Sequence, residues 1–397
     1  MREINKIYLA NFLMGVAYSI AVIETLYRLS NGLSQTQIAL LSSLFFISYS
    51  LLEIPTGGLA DTFGHKKSVF WGLIVHALAP LIVGLSPTYP IFLIGSVLAG
   101  LGIALQSGAF SSLTHDILNR LGKGEEYIKV QGRTSAYLLV GTLVASPLVS
   151  ILYDGHPQLT YLISSFALFL AATLIYLVKW EFKGDKPSMN IYLQKITKGV
   201  TSSFANKRVL GLIILGSALF FSGSLYANNI NQPLQITFGV KVAFLGIIAA
   251  VFSGFKAIVS AVAYKFFQRI GSNFSLLLSI VITTIAFLVL SQINTVVGLV
   301  FMLLLFLIAS YKDQIILTLL QKEVSSEERS TMISTYSFLT FIIVGITMPL
   351  GGYGIDNLGI NSTLIVLALV TLVFGLVGLQ VYKSSLKADI IKVHKYG

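Results

Sequence analysis

A chain of 397 residues that is 55% hydrophobic and 11% charged, with a mean hydropathy of +0.83, has too little polar surface to cover a soluble globule of its size. Its formal charge of +11 lies in short loops between apolar runs, which makes it a membrane-orientation signal and implies no nucleic-acid surface. With no cysteine there are no disulfides, no thiol catalysis and no cysteine metal site.

A membrane helix needs about 20 mostly apolar residues. Runs of that kind fall at 6–29, 37–60, 68–86, 90–116, 129–153, 159–179, 208–232, 242–265, 273–291, 294–321, 330–354 and 361–382. Met1-Arg2-Glu3-Ile4-Asn5-Lys6 leads into the first run with no small-residue cleavage site, so a spanning helix is expected there and not a cleaved signal. Twelve spans put both termini on one face. Arg2, Lys6, Lys66, Lys67, Arg120, Lys123, Lys129, Lys265, Arg269, Lys322 and Arg329 gather toward that face, and the opposite turns carry only Arg28 and Lys241. The bias predicts cytoplasmic termini in a multi-pass protein of the inner (plasma) membrane.

One long hydrophilic connection, 181–207, divides the chain into 1–180 and 208–397. Leu193, Ile196, Val200 and Phe204 recur in it at helical spacing with Lys195, Lys198 and Lys207 between them, which predicts an interfacial amphipathic helix. The halves repeat at one constant shift: Glu125-Glu126 with Glu327-Glu328, Ser135 with Ser337, Pro147-Leu148 with Pro349-Leu350, Asp154 with Asp356. Two six-helix bundles related as parallel repeats follow.

Gly57-Gly58-Leu59-Ala60-Asp61-Thr62-Phe63-Gly64-His65-Lys66-Lys67 is a charged, glycine-punctuated stretch between apolar runs. It is expected to be a turn, with Asp61 accepting from the amides that open the next helix. The stretch resembles the loop between helices 2 and 3 of the major facilitator superfamily, written G-x-L-a-D-r-x-G-r-k. Gly57 or Gly58, Leu59, Asp61, Gly64 and Lys66 match it, while Thr62 and His65 stand where that pattern has basic residues. The preceding Glu53-Ile54-Pro55-Thr56-Gly57 resembles a bacterial variant. The resemblance implies an all-α membrane fold of twelve helices, with helices 1, 4, 7 and 10 lining a central cavity and 3, 6, 9 and 12 facing lipid. The counterpart stretch near Ala263–Gly271 has lost the acid.

An ionisable group at the centre of a span costs on the order of 3 kcal/mol to insert, so each one calls for a partner, a cavity or a function. Away from the terminal face these are Glu24 in the first span, Glu53 in the second, Lys256 in the eighth, and Lys312 and Asp313 in the tenth. Glu24 and Arg28, four residues apart, form either an intrahelical pair or a gate. Glu53 either tethers the second span to Arg133 or titrates, and Asp116 braces the inner gate through Arg133 or through the opening stretch. Lys312 and Asp313, about 100° apart on their helix, are expected to point in different directions. Asp313 is either the proton-coupling site or part of an inert network with Lys312 and Lys256.

Among neutral residues Tyr18, Gln106, Asn228 and Asn229 are candidates to line the substrate cavity, although bonding between helices uses the same side chains. His76 is expected to bond a neighbouring backbone. Drug–proton antiporters of the same superfamily carry a glycine-proline pattern in their fifth helix. This chain resembles it in part, through Gly132, Gly141 and Ala145-Ser146-Pro147. Ser96 stands where those antiporters have a fourth-helix arginine. The expectation is a secondary transporter exchanging protons for a small amphipathic or antibiotic-like compound, working as a monomer with no cofactor, metal or nucleic acid. Proton-coupled uptake of a small nutrient is the alternative, and a non-transport sensor or scaffold the least favoured. No HExxH or P-loop pattern and no Ser/His/Asp constellation points to an enzyme.

Overall fold

The computed structural model describes residues 2–179, 206–323 and 329–396. The predicted linker helix therefore lies, but for its last two residues, outside the described residues, as does the Glu327-Glu328 repeat. All regular structure described is helical, the form in which a lipid-embedded backbone satisfies its own polar groups.

α1 comprises Arg2–Tyr18, a 3-10 turn at Ser19–Val22 and Glu24–Ser30, bent by 48°. α2 is Gln35–Phe63, α3 His65–Leu85, and α4 Tyr89–Arg120 with a break at Ser107 and Gly108. α5 is Tyr127–Gly155 and α6 Pro157–Tyr176. α7 runs Lys207–Thr237 through a π-helical turn at Tyr226–Ile230. The helical trace Val242–Leu290 divides at Gly271, φ 76°, into α8 (242–270) and α9 (272–290). α10 is Gly298–Lys322, and the trace Arg329–Tyr396 divides at Gly359, φ 80°, into α11 (329–358) and α12 (360–396). Twelve apolar helices result among the described residues, matching the twelve runs in the sequence.

The stretch expected to be a turn is mostly helix. Gly57, Gly58 and Asp61 belong to the last two turns of α2, and Gly64 alone, with φ 98° and ψ 139°, connects it to α3. A backbone that keeps its hydrogen bonds in lipid tolerates glycine within a helix, and positive φ is needed at one residue only. Gly271 makes the equivalent one-residue connection from α8 to α9.

The chain divides into two compact units. The first takes in residues 2–33, 41–179 and 240–251. Its core joins Ile4, Ile7 and Met14 of α1 to Leu73 and Ala77 of α3, Leu113 of α4 and Leu168 and Ile175 of α6. α1 and α5 meet backbone to backbone: a methyl group at Gly15 would strike Leu138 O, and one at Gly141 would strike Phe12 O. Hydroxyls bond across this seam and those of α6, Thr142 Oγ1 to Gly15 O at 3.1 Å, Ser164 Oγ to Ala17 O of α1 at 2.9 Å and Ser165 Oγ to Ala77 O of α3 at 2.8 Å.

The second unit takes in residues 34–40, 206–239, 252–323 and 329–396. α7 packs on α12 through Gly211 and Gly378, where added methyl groups would strike Tyr382 N and Leu215 N. Asn206 caps α7 by accepting from Arg208 N, and Arg208 pairs with Glu323 at 3.1 Å. The start of α2 belongs here and carries a reciprocal cap: Ser34 N donates to Gln37 Oε1 and Gln37 N to Ser34 Oγ. Asp356, in the last turn of α11, accepts from Gln35 N at 3.0 Å, Thr36 N at 2.8 Å and Thr36 Oγ1 at 2.6 Å.

Candidate functional site

Two of the charged sites in the first unit involve α2. At the terminal end of α2 and α3, His65 stands between two acids, with Nδ1 2.7 Å from Asp116 Oδ2 and Nε2 3.4 Å from Asp61 Oδ1. A neutral imidazole has one donor nitrogen, so only the imidazolium donates to both carboxylates. Asp116 is therefore braced by the opening stretch and not by Arg133. His65, read as a departure from the superfamily pattern, is the side chain that stands between Asp61 and Asp116. Lys66 donates to Val178 O at 2.6 Å and lies over the Tyr176 ring, tying α3 to the end of α6. Burial pulls its pKa below the ordinary lysine value, against the opposing charge of Glu3 and with the help of Lys6.

The second place is Glu53, two turns further into the apolar part of α2. Tyr49 OH donates to Glu53 Oε1 at 3.0 Å, and Ser107 Oγ, at the break in α4, donates to the same oxygen at 2.8 Å. The tether to Arg133 is corrected: Arg133 is exposed on α5 and bonds neither Glu53 nor Asp116. Tyr49 sits four residues before Glu53 on the same face, a spacing that was visible in the sequence. Glu24 pairs with Arg28 one turn along α1, so of the two readings offered for it the intrahelical pair is present.

The Tyr18 and His76 rings meet at a tilt of 32° with centroids 5.6 Å apart. His76 is buried and its Nδ1 has no partner, so the backbone bond expected of it is not made at that nitrogen. Gln106 is buried, its amide on Gly102 O at 2.9 Å and its Oε1 unpartnered.

In the second unit Lys312 and Asp313 turn toward each other despite their different headings on α10. Lys312 Nζ bends back to Asp313 Oδ1 at 2.6 Å. The two ends of the pair differ: the lysine side chain is 6% exposed and the aspartate 61%. On its other side the ammonium lies over the Phe220 ring, which packs against Phe341 at 5.3 Å. The proposed network with Lys256 is corrected, because Lys256 is exposed on α8 and lies over Phe306 instead. Asn229 is wholly buried with its amide on Gln35 O and Oε1, both at 2.9 Å, so it is spent on packing and lines no open surface. Asn228 donates to Ser224 O within α7.

Twelve apolar helices, with an acid on hydroxyl donors in one unit and a half-sealed ion pair in the other, define a multi-pass membrane protein that keeps embedded charge in both units. The chain belongs to the Major Facilitator Superfamily, which it matches over residues 7–311 and 212–389. It is 25% identical over 277 residues to the uncharacterized MFS-type transporter YxaM of Bacillus subtilis (strain 168), covering 67% of each chain. It is 27% identical over 171 residues to the hexuronate transporter of the same organism, 43% of this chain and 39% of that one. A solved point mutant of the nucleoside transporter NupG superposes with a TM-score of 0.82 at 14% identity, over 96% of this chain and 99% of the other. That likeness is one of fold.

Proposed function

We propose that the chain is a proton-coupled exporter of small amphipathic compounds that carry a basic group, with Asp313 as the carboxylate for which proton and cargo compete. The observation that carries this reading is the asymmetric pair on α10. Lys312 is sealed between Asp313 and Phe220, whereas the Asp313 carboxylate is open beside the aromatic surface of Phe220 and Phe341. An ammonium group reaching Asp313 displaces Lys312 Nζ or shares the acid with it, and a proton arriving at the acid releases both. Aromatic faces supply the apolar part of the contact. Glu53, held by two hydroxyls and no cation, is the second acid that can take a proton without stranding a lysine. The proposal treats 1–180 and 208–397 as the two moving bundles, joined by the 181–207 linker, with both termini cytoplasmic. One charge moving through 100 mV supplies about 2.3 kcal/mol, enough for roughly fifty-fold concentration.

Proteoliposomes with an imposed pH gradient test it directly. A fluorescent amphipathic amine moves against the proton flux, Asp313→Asn abolishes the movement, and Glu53→Gln uncouples it from the gradient. Unchanged gradient-driven flux in both variants removes the two acids as carriers. A second reading, uptake of a small acidic metabolite together with protons, is favoured by the buried cation Lys312 and by the likeness to a hexuronate transporter. Its signature in the same vesicles is a carboxylate moving with the protons, dependent on Lys312.

A further inference from the structure

We propose that the cleft bounded by α7, α11 and α12 in the second unit binds one acyl chain of a bilayer phospholipid. The cavity measures about 640 Å³. Its floor is one face of α7, with Ile214, Ala218 and Phe221 at helical spacing, and its walls include Ile343 and Leu350 of α11 and Val370 of α12.

Nothing in the lining is charged, and its serine and threonine hydroxyls are already used, which leaves the Tyr353 hydroxyl as the one other polar side-chain group of the lining. Ser217 Oγ donates to Thr340 Oγ1, Thr347 Oγ1 to Ile343 O and Thr363 Oγ1 to Gly359 O. Below Tyr353 a polar ligand would lose its hydration and find nothing to replace it, whereas a hydrocarbon loses nothing.

Shape narrows the choice further. From Leu358 to Ile343 the α11 wall is about 22 Å long at 1.5 Å per residue, longer than the ~15 Å of hydrocarbon in one leaflet. An extended chain fills that length, which a compact molecule would occupy only in part. The cleft is also continuous with the lipid-facing surface. Leu350 is 71% exposed, and Val366, Leu369 and Phe374 of α12 are exposed along the opening. Tyr353 of the lining is exposed, and exposed Asn357 and Asn361 flank lining residue Leu358 in sequence, side chains suited to the headgroup level. Residues 350–366 include no lysine or arginine, so the chain and not the headgroup phosphate is what the site holds.

Because the protein has no cysteine, one introduced thiol carries the only label. A Cβ at Gly354 meets only the Thr363 side chain, at an ordinary 3.6 Å and beyond, so Gly354→Cys places a small fluorophore in the cleft. Val373→Cys, exposed on α12 outside the cleft, is the control. Both full-length proteins are reconstituted with phosphatidylcholine brominated along its acyl chains. The expected result is stronger quenching at 354 than at 373, equal in phosphatidylglycerol of the same chains, and loss of that excess when Ala218→Phe or Val370→Phe fills the floor or wall. Equal quenching at the two positions overturns the proposal without need of the filling variants. So does an excess that depends on the headgroup, or one displaced by a small amphipathic amine, which would make the occupant cargo.

Discussion

Asp356 receives both the backbone amide and the hydroxyl of Thr36, at 2.8 Å and 2.6 Å, so the last turn of α11 caps the first turn of α2. The Gln35 amide donates to its other oxygen. Burial disfavours the charged carboxylate, but these donors from Thr36 and Gln35 outweigh it and hold the pKa below the ordinary 3.8. Removing the carboxylate in Asp356→Ala is expected to cost about 1 kcal/mol, with Asp356→Asn keeping part of it. For an acid whose folded value is depressed, the stabilising contribution is complete above the unfolded value. It disappears as the pH falls below 3.8 through the folded one. Thermal unfolding of wild type and Asp356→Ala should therefore differ at neutral pH and converge in acid. A constant difference down to acid pH would mean that the charge plays no part.

Two glycines of α5 should respond in opposite ways. Gly141 faces the Phe12 carbonyl with no room for a side chain, while Gly132 faces open space. Gly141→Val is expected to lower stability by about 1–3 kcal/mol through overpacking. Gly132→Ala should raise it by about 0.5–1 kcal/mol, because alanine is the better helix former. Paired melting curves in detergent check the contrast.

Within the Lys312–Asp313 pair the cost of mutation should be lopsided. Asp313→Asn strands a buried ammonium and is expected to destabilise by about 2 kcal/mol, reduced from the fully buried case by the exposure of the acid. Lys312→Met leaves an acid that water already reaches, and should be close to neutral for stability. Equal losses in the two variants would show that the exposure difference has no energetic meaning.

His65→Ala should loosen the Asp61–His65–Asp116 link, and His65→Arg should restore it, since a guanidinium can serve two carboxylates at once. Hydrogen exchange at the start of α3 is the measurement. Equal exchange in the alanine and arginine variants would leave the imidazole with no bridging role.

The spans were legible because a bilayer imposes both length and apolarity on each of them, and every apolar run became a helix. What was not legible was where the helices break. The Gly57-Gly58 pair signals a turn by local rules, yet the helix continues to Phe63. The actual break in α4 falls at Ser107-Gly108, where Gly108 adopts φ 69°, and nothing local sets it apart from the glycines that stay helical. The π turn at Tyr226–Ile230 went unforeseen for the same reason.

Of the candidate site, the identity of the embedded charges could be read directly, because their insertion cost makes them conspicuous. Their partners could not. Of the two readings of Glu53, a tether to Arg133 or a titrating acid, the tether is replaced by two hydroxyls, and hydroxyl donors are too common in such a chain to single out. The Ser34–Gln37 box that opens α2 did follow a readable four-residue pattern. That Asp356 would reach Thr36 depends on packing that no local pattern encodes.

A joint only one residue long has no slack. With Gly64 alone between α2 and α3, and Gly271 alone between α8 and α9, each helix is coupled to the next like rods at an elbow. Any tilt of the acid-bearing α2 is handed straight to α3, the helix that holds His76. Lengthening the elbow by a few flexible residues would let α2 move while α3 stayed still.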